Sequence, residues 1–167
     1  VVVTKVGIEL KDYKTILKDN VIWASQVINR IFTVYNTDED FNFKLFLWYA
    51  SGESVEKFTY LCSIIGYCLH RYKDDAFAKA VMLAEEVDDP KQGGGAGKGL
   101  LIKALQLVIG GMTVDGESFK PDGNFAFQRY TLGCPFICIN DAAKNTQWDK
   151  WKSIITDGLT VDVKNKN

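Results

Sequence analysis

Gly93-Gly94-Gly95-Ala96-Gly97-Lys98-Gly99 runs without pause into Leu100-Leu101-Ile102-Lys103-Ala104-Leu105-Gln106-Leu107-Val108-Ile109. The second stretch spaces its apolar residues as one face of a helix does and closes at Gly110-Gly111, which predicts an amphipathic helix with a glycine stop. Upstream, Ala80-Val81-Met82-Leu83-Ala84 is apolar and too short for a helix, which predicts a buried strand; Glu85 to Gln92 is acidic, contains a proline and predicts a loop. The order is strand, glycine loop, helix. Four glycines in the five positions before Lys98 leave bare main chain that can turn its N–H groups onto anionic oxygens, and the helix start adds partial positive charge. Lys98 would set a full charge on the β- and γ-phosphates of a nucleotide. The predicted nucleotide-binding set is Gly93, Gly94, Gly95, Ala96, Gly97, Lys98, Gly99 and Leu100. The competing reading is a flexible glycine linker with an incidental lysine, and the flanking strand and helix favour the phosphate cradle over it.

Against the pattern G-x-x-x-x-G-K-[ST], Gln92 stands at the first glycine and Gly99 at the hydroxyl position that ordinarily ligates Mg²⁺. A phosphate-loop enzyme also needs an acid at the tip of a neighbouring buried strand. Pro135-Phe136-Ile137-Cys138-Ile139 predicts that strand, and Asn140-Asp141 follows it. Asp141 is therefore paired with Lys98 as a predicted catalytic residue and as the holder of Mg²⁺, directly or through water; its competing role is a turn or helix cap before Ala142-Ala143.

Further out, Ile16, Val21, Ile22, Val27, Ile28, Ile31 and Phe32 predict a helix within residues 9–35. Phe43 to Ala50 and Glu53 to Tyr72 predict two more, separated at Ser51-Gly52. A helical region over residues 1–75 would then precede a phosphate-loop core over residues 76–167, an α/β fold. A helix near Asp149 to Ile155 and one hairpin arm at Leu159 to Val163 complete the reading. His70, the single histidine, fits a packing or helix-end role better than catalysis, since no nucleophile or metal partner lies near it in sequence. Cys62, Cys68, Cys134 and Cys138 lack zinc-site spacing and are expected to be reduced and buried.

Lys plus Arg total 20 against 21 Asp plus Glu, so no global basic field draws the chain to nucleic acid and any such contact must be local. A 47% hydrophobic, 13% aromatic composition with 3 Pro excludes disorder over most of the length. No apolar run approaches the ~20 residues of a membrane-spanning helix, and residues 1–5 are unlike a signal peptide, so the expectation is a soluble, cytoplasmic protein. A start on Val suggests an excised piece.

Five segments together resemble the superfamily 3 helicase domains of the phage and plasmid primase-helicase type, close to virus-like proteins of Bacteroidetes genomes. They are Ile65 to Lys73, Lys79 to Glu86, the Gly93 to Leu101 loop, Phe136 to Lys144, and Ile155 to Lys166. The resemblance implies an AAA+-like core, truncated at its C-terminal side, from a bacterial or phage-infected cell. It implies assembly as a ring, usually a hexamer, with ATP and Mg²⁺ as cofactors and single-stranded DNA moved through the centre. It places Gly94, Gly97 and Lys98 on phosphates and Asp141 in the acidic strand-end motif. Lys164 and Lys166 fall in the family's DNA-contacting hairpin. The alternative is a catalytically decayed module serving as an oligomerisation or nucleic-acid-binding scaffold, to which Gly99 and Asn140 point.

Overall fold

A β-branched run at the very start, Val1-Val2-Val3-Thr4, favours extended backbone over helix, and the computed structural model forms a hairpin there. The structure describes residues 2–4, 6–16, 24, 27, 29, 31, 42–70, 74, 76–85, 94–131, 133–143 and 145–164. The chain divides into two compact units, Val1–Glu39 and Asp40–Asn167. In the first, β1 (Val2–Thr4) pairs antiparallel with β2 (Gly7–Glu9), matching Val2 with Glu9 and Thr4 with Gly7. The Thr4 hydroxyl closes the turn, donating to Gly7 O at 3.2 Å and accepting from Val6 N–H at 3.3 Å. A short α1 (Tyr13–Ile16) follows, its first turn capped by the Asp12 carboxylate on Lys14 N–H. The helix expected from residue 9 is thus corrected at its start: strand pairing claims Glu9, and helix begins at Tyr13. Most of its remaining length lies outside the described residues.

The second unit holds both expected helices, α2 (Asn42–Ala50) and α3 (Val55–Leu69). Their break is built by Ser51, which is 6% exposed and donates its hydroxyl to Trp48 O at 2.6 Å, and by Ser54, whose hydroxyl caps α3 on Lys57 N–H. The Trp48 and Phe58 rings meet edge to face at 5.8 Å across the turn. His70 ends α3 in extended backbone with its ring edge on to Tyr67. The Tyr67 hydroxyl then ties the helix to the following segment by donating to Lys79 O at 3.0 Å.

The predicted helix after the glycine loop is α4 (Lys98–Ile109), which buries Leu101 and Leu105 one turn apart, as an apolar stripe requires. Gly110 closes it with φ 85°, a left-handed end that disfavours a side chain. The chain then enters β3 (Met112–Asp115), which sequence reading missed, and β3 pairs in parallel with the expected β4 (Ile137–Asn140) from Met112–Ile137 to Asp115–Asn140. Mixed helices and a small parallel sheet make the unit compatible with an α/β fold. Trp151 of α5 (Asp149–Thr156) joins Phe119 and Phe127 in an aromatic cluster, with centroids 5.2 to 6.3 Å apart. Phe127 and Trp151 are buried, and with Leu47, Leu101 and Leu105 they form the buried apolar core among the described residues.

Three sequence expectations need correction. Ala80 to Ala84 is not a buried strand: it has no strand pairing and Met82 is 70% exposed. An apolar run supplies burial, but a strand also needs a hydrogen-bonded partner, and none of the described strands pairs with this segment. Leu159 to Val163 is likewise not a strand, since none of the described strands pairs with it; Leu159 and Thr160 instead line a shallow cavity beside Pro121, Asp122 and α5. The four cysteines were expected to be buried, but Cys62 is exposed and the other three are only half-buried. Partial burial is enough to push the Cys68 and Cys138 thiols above their usual pKa.

Candidate functional site

Gly94, Gly95 and Gly97 take φ of 124°, 89° and 86°, a left-handed run that side chains resist. At Gly97 there is a second reason for glycine: a Cβ would lie 2.6 Å from the Phe46 ring of α2. α4 starts directly from this loop, its first hydrogen bond running from Leu101 N–H to Gly97 O at 3.0 Å. Lys98 occupies the first turn with its side chain 39% exposed, followed by Gly99 and a half-exposed Leu100. Gly93 lies outside the described residues.

The loop already holds an anion, and it is one of the chain's own. Glu85, whose side chain is 11% exposed, bonds the Lys98 ammonium through Oε1. Its Oε2 accepts from Gly94 N–H at 2.6 Å. These bonds, the Lys98 one foremost and Gly94 N–H next, hold the Glu85 carboxyl below the usual carboxylate pKa, with Ala96 N–H contributing less. Main-chain N–H groups and an ammonium converging on one carboxylate at a helix start are the donor set that phosphate oxygens use. Sequence reading assigned Gly94, Ala96 and Lys98 to one cradle, and the structure brings them together. It missed Glu85, which looked like one more acid in a solvated loop.

At the tip of the sheet the construction is different. Gly116 N–H donates to Asn140 O at 2.6 Å. A Cβ on Gly116 would sit 2.7 Å from that oxygen and 2.8 Å from Ala142 Cα, so main chain packs on main chain and only glycine fits. This approach bends the backbone into Asp141, which adopts φ 50°, uncommon for a residue other than glycine though Asp tolerates it best. The Asn140 side-chain amide donates to Asp141 Oδ2 at 2.7 Å and fixes the carboxylate's direction. On β3, Asp115 accepts from the Ser118 hydroxyl and from Glu117 N–H, which lower its pKa. Gly116 was legible only as the Gly of an Asp-Gly pair, a turn signal without a preceding recognised strand.

The chain reverses between α4 and β3: the Gln106 amide in the last turn of α4 reaches the Thr113 hydroxyl at 2.8 Å. Because β4 runs parallel to β3, the C-terminal ends of the two strands, at Asp115 and Asn140, lie side by side. That is the edge of a parallel sheet where ligands ordinarily bind. Lys98 and Asp141 nevertheless have different immediate partners, Glu85 for one and Asn140 for the other. Asp141 brings one carboxylate, and among the described residues no group of three or more His, Cys, Asp and Glu is placed to hold a metal. One carboxylate is compatible with Mg²⁺, which keeps most of its waters and shares the rest of its shell with phosphate. Around Gly99 nothing lies within 4 Å of a Cβ, so no steric demand explains the missing hydroxyl.

Lys164 is exposed and follows Val161, Asp162 and Val163, which line an open cavity of about 540 Å³ with Asn124 and Phe125. Lys166 lies outside the described residues. No helix among the described residues is long and apolar enough to cross a membrane. Compared with known protein families, with curated proteins and with solved structures, the chain matches none.

Proposed function

We propose that the glycine loop binds the phosphate tail of a nucleoside triphosphate, and that the chain is the nucleotide-binding part of a DNA-translocating ATPase of the superfamily 3 helicase type. The observation that supports the first half is the seating of the Glu85 carboxylate on Lys98 and Gly94 N–H, a convergence of donors on an anion at the start of a 12-residue helix. In this reading Gly94, Gly95, Ala96 and Gly97 wrap the phosphates, Lys98 neutralises the terminal ones, and Gly99 and Leu100 present the first free N–H groups of α4. Asp141 would hold Mg²⁺, directly or through water, and the ion would offset charge on the phosphate oxygens. Asn140 orients that carboxylate by hydrogen bonding but cannot take a proton from water. The helicase half rests on the resemblance of the ordered segments, with single-stranded DNA contacting Lys164 and Lys166 and a homo-oligomeric ring completing the site.

Calorimetric titration of the wild type and of Lys98→Ala with ATP and Mg²⁺ tests the nucleotide half. Binding by the first and its loss in the second is the expected result; equal heats would remove the phosphate cradle. Gly99 and Asn140 favour the second reading, a decayed module that binds without turnover. Phosphate release stimulated by single-stranded DNA, and weakened by Lys164→Ala, would decide for the motor; nucleotide binding with no release would decide for the scaffold.

A further inference from the structure

We infer that Glu85 is a built-in competitor of the phosphate ligand, a carboxylate that fills the anion position of the glycine loop when no nucleotide is there. The inference rests on the nucleotide reading of the loop and adds the regulation of its affinity. Both Glu85 oxygens are engaged, one by the Lys98 ammonium and one by Gly94 N–H. An ammonium has three hydrogens and could serve two anions at once, but Gly94 N–H has one and cannot. A phosphate that uses Gly94 must therefore evict the carboxylate, and like charge would drive the two apart even where Lys98 could bridge them. Glu85 lies nine residues before Gly94, so the tether keeps its local concentration high and the seat refills whenever the ligand leaves.

The consequence is arithmetic. A site open for only a fraction of the time shows an affinity reduced by that fraction. If the carboxylate is seated nine-tenths of the time, emptying the seat tightens binding about 10-fold. The gain applies to ligands that use Gly94 and Lys98, such as ATP or inorganic tripolyphosphate, and not to adenosine, which has no phosphate to place there.

The experiment measures dissociation constants of Mg·ATP, tripolyphosphate and adenosine for the wild type, Glu85→Gln, Glu85→Ala and Lys98→Ala, with circular dichroism confirming that each folds. The expected result is several-fold tighter ATP and tripolyphosphate binding in both Glu85 variants, unchanged adenosine binding, and loss of phosphate-dependent binding in Lys98→Ala. Equal or weaker ATP binding in both Glu85 variants, with Lys98→Ala still deficient, overturns the competitor while leaving the nucleotide site standing; weaker binding would mean that Glu85 positions Lys98 for the ligand. If Lys98→Ala binds ATP as the wild type does, or if no variant binds it, the nucleotide reading falls and the competitor with it.

Discussion

The glycine loop and the sheet tip were both expected to supply half of one site, yet they are held by different forces. The loop is closed by charge: Glu85, Lys98 and Gly94 N–H are joined through one carboxylate, which in the nucleotide reading a phosphate would replace. The tip is closed by shape: Gly116 lies against Asn140 O and Ala142 Cα, and no ligand can substitute for main-chain contact. A region meant to exchange a ligand can be fastened by bonds the ligand itself can make, whereas a region meant to aim a side chain needs a fixed backbone.

Gly116→Ala should be the most damaging single change to the rigid tip. A Cβ there meets main chain that cannot swing aside, and we expect a loss of about 1–3 kcal/mol in denaturant unfolding, the usual range for overpacking. Gly97→Ala should cost less than its geometry first suggests. Its Cβ meets the far edge of the Phe46 ring, which can rotate away, leaving chiefly the left-handed backbone penalty of about 1–2 kcal/mol. Phe46→Leu should then restore little of that loss, since the ring is not its main source. If Gly97→Ala proved clearly worse than Gly116→Ala, the distinction between a yielding loop and a rigid tip would be lost.

Acid should loosen both regions. Glu85, Asp115 and Asp122 have pKa values lowered in the folded state, by the Lys98, Ser118 and Lys150 hydrogen bonds foremost. Carboxyls lowered on folding add stability that is fully present above their unfolded values, about 4, and is lost as pH falls through the folded ones. Unfolding followed from pH 6 to pH 2 should show stability declining below about pH 4, and Glu85→Gln should flatten part of that slope. A slope unchanged in Glu85→Gln would argue against a seated carboxylate. The smallest effect is at Gly99. Open space around it and a helical position predict that Gly99→Ser folds normally and gains roughly 0.5 kcal/mol from helix propensity. In the nucleotide reading the new hydroxyl should also strengthen the Mg²⁺ dependence of ATP binding; destabilisation would show that Gly99 has a steric role.

What could be read in advance follows from the range of the forces involved. α2, α3, α4 and α5 are written in local spacing, caps and glycine stops, so their sequence sufficed. β4 was visible because Ile137-Cys138-Ile139 is a continuous apolar run. β3 was not, since Met112-Thr113-Val114-Asp115 offers a single alternation between a glycine pair and Gly116, and becomes a strand only against β4. Ala80 to Ala84 shows the reverse error, an apolar run that pairs with none of the described strands. The loop's glycines and Lys98 announced a cradle by composition, while its occupant did not: no local rule separates Glu85 from Glu86, and only the folded chain brings a carboxylate onto Gly94.

In the nucleotide reading, the main-chain N–H groups around Gly94 and the Lys98 ammonium form a seat for phosphate. Amide resonances of Gly94, Ala96 and Gly97 followed by nuclear magnetic resonance during titration with Mg·ATP test it most directly. Saturable shifts at these three residues, absent in Lys98→Ala, are predicted. Saturable shifts confined to other parts of the chain, with the loop amides unmoved at saturating ATP, would contradict it.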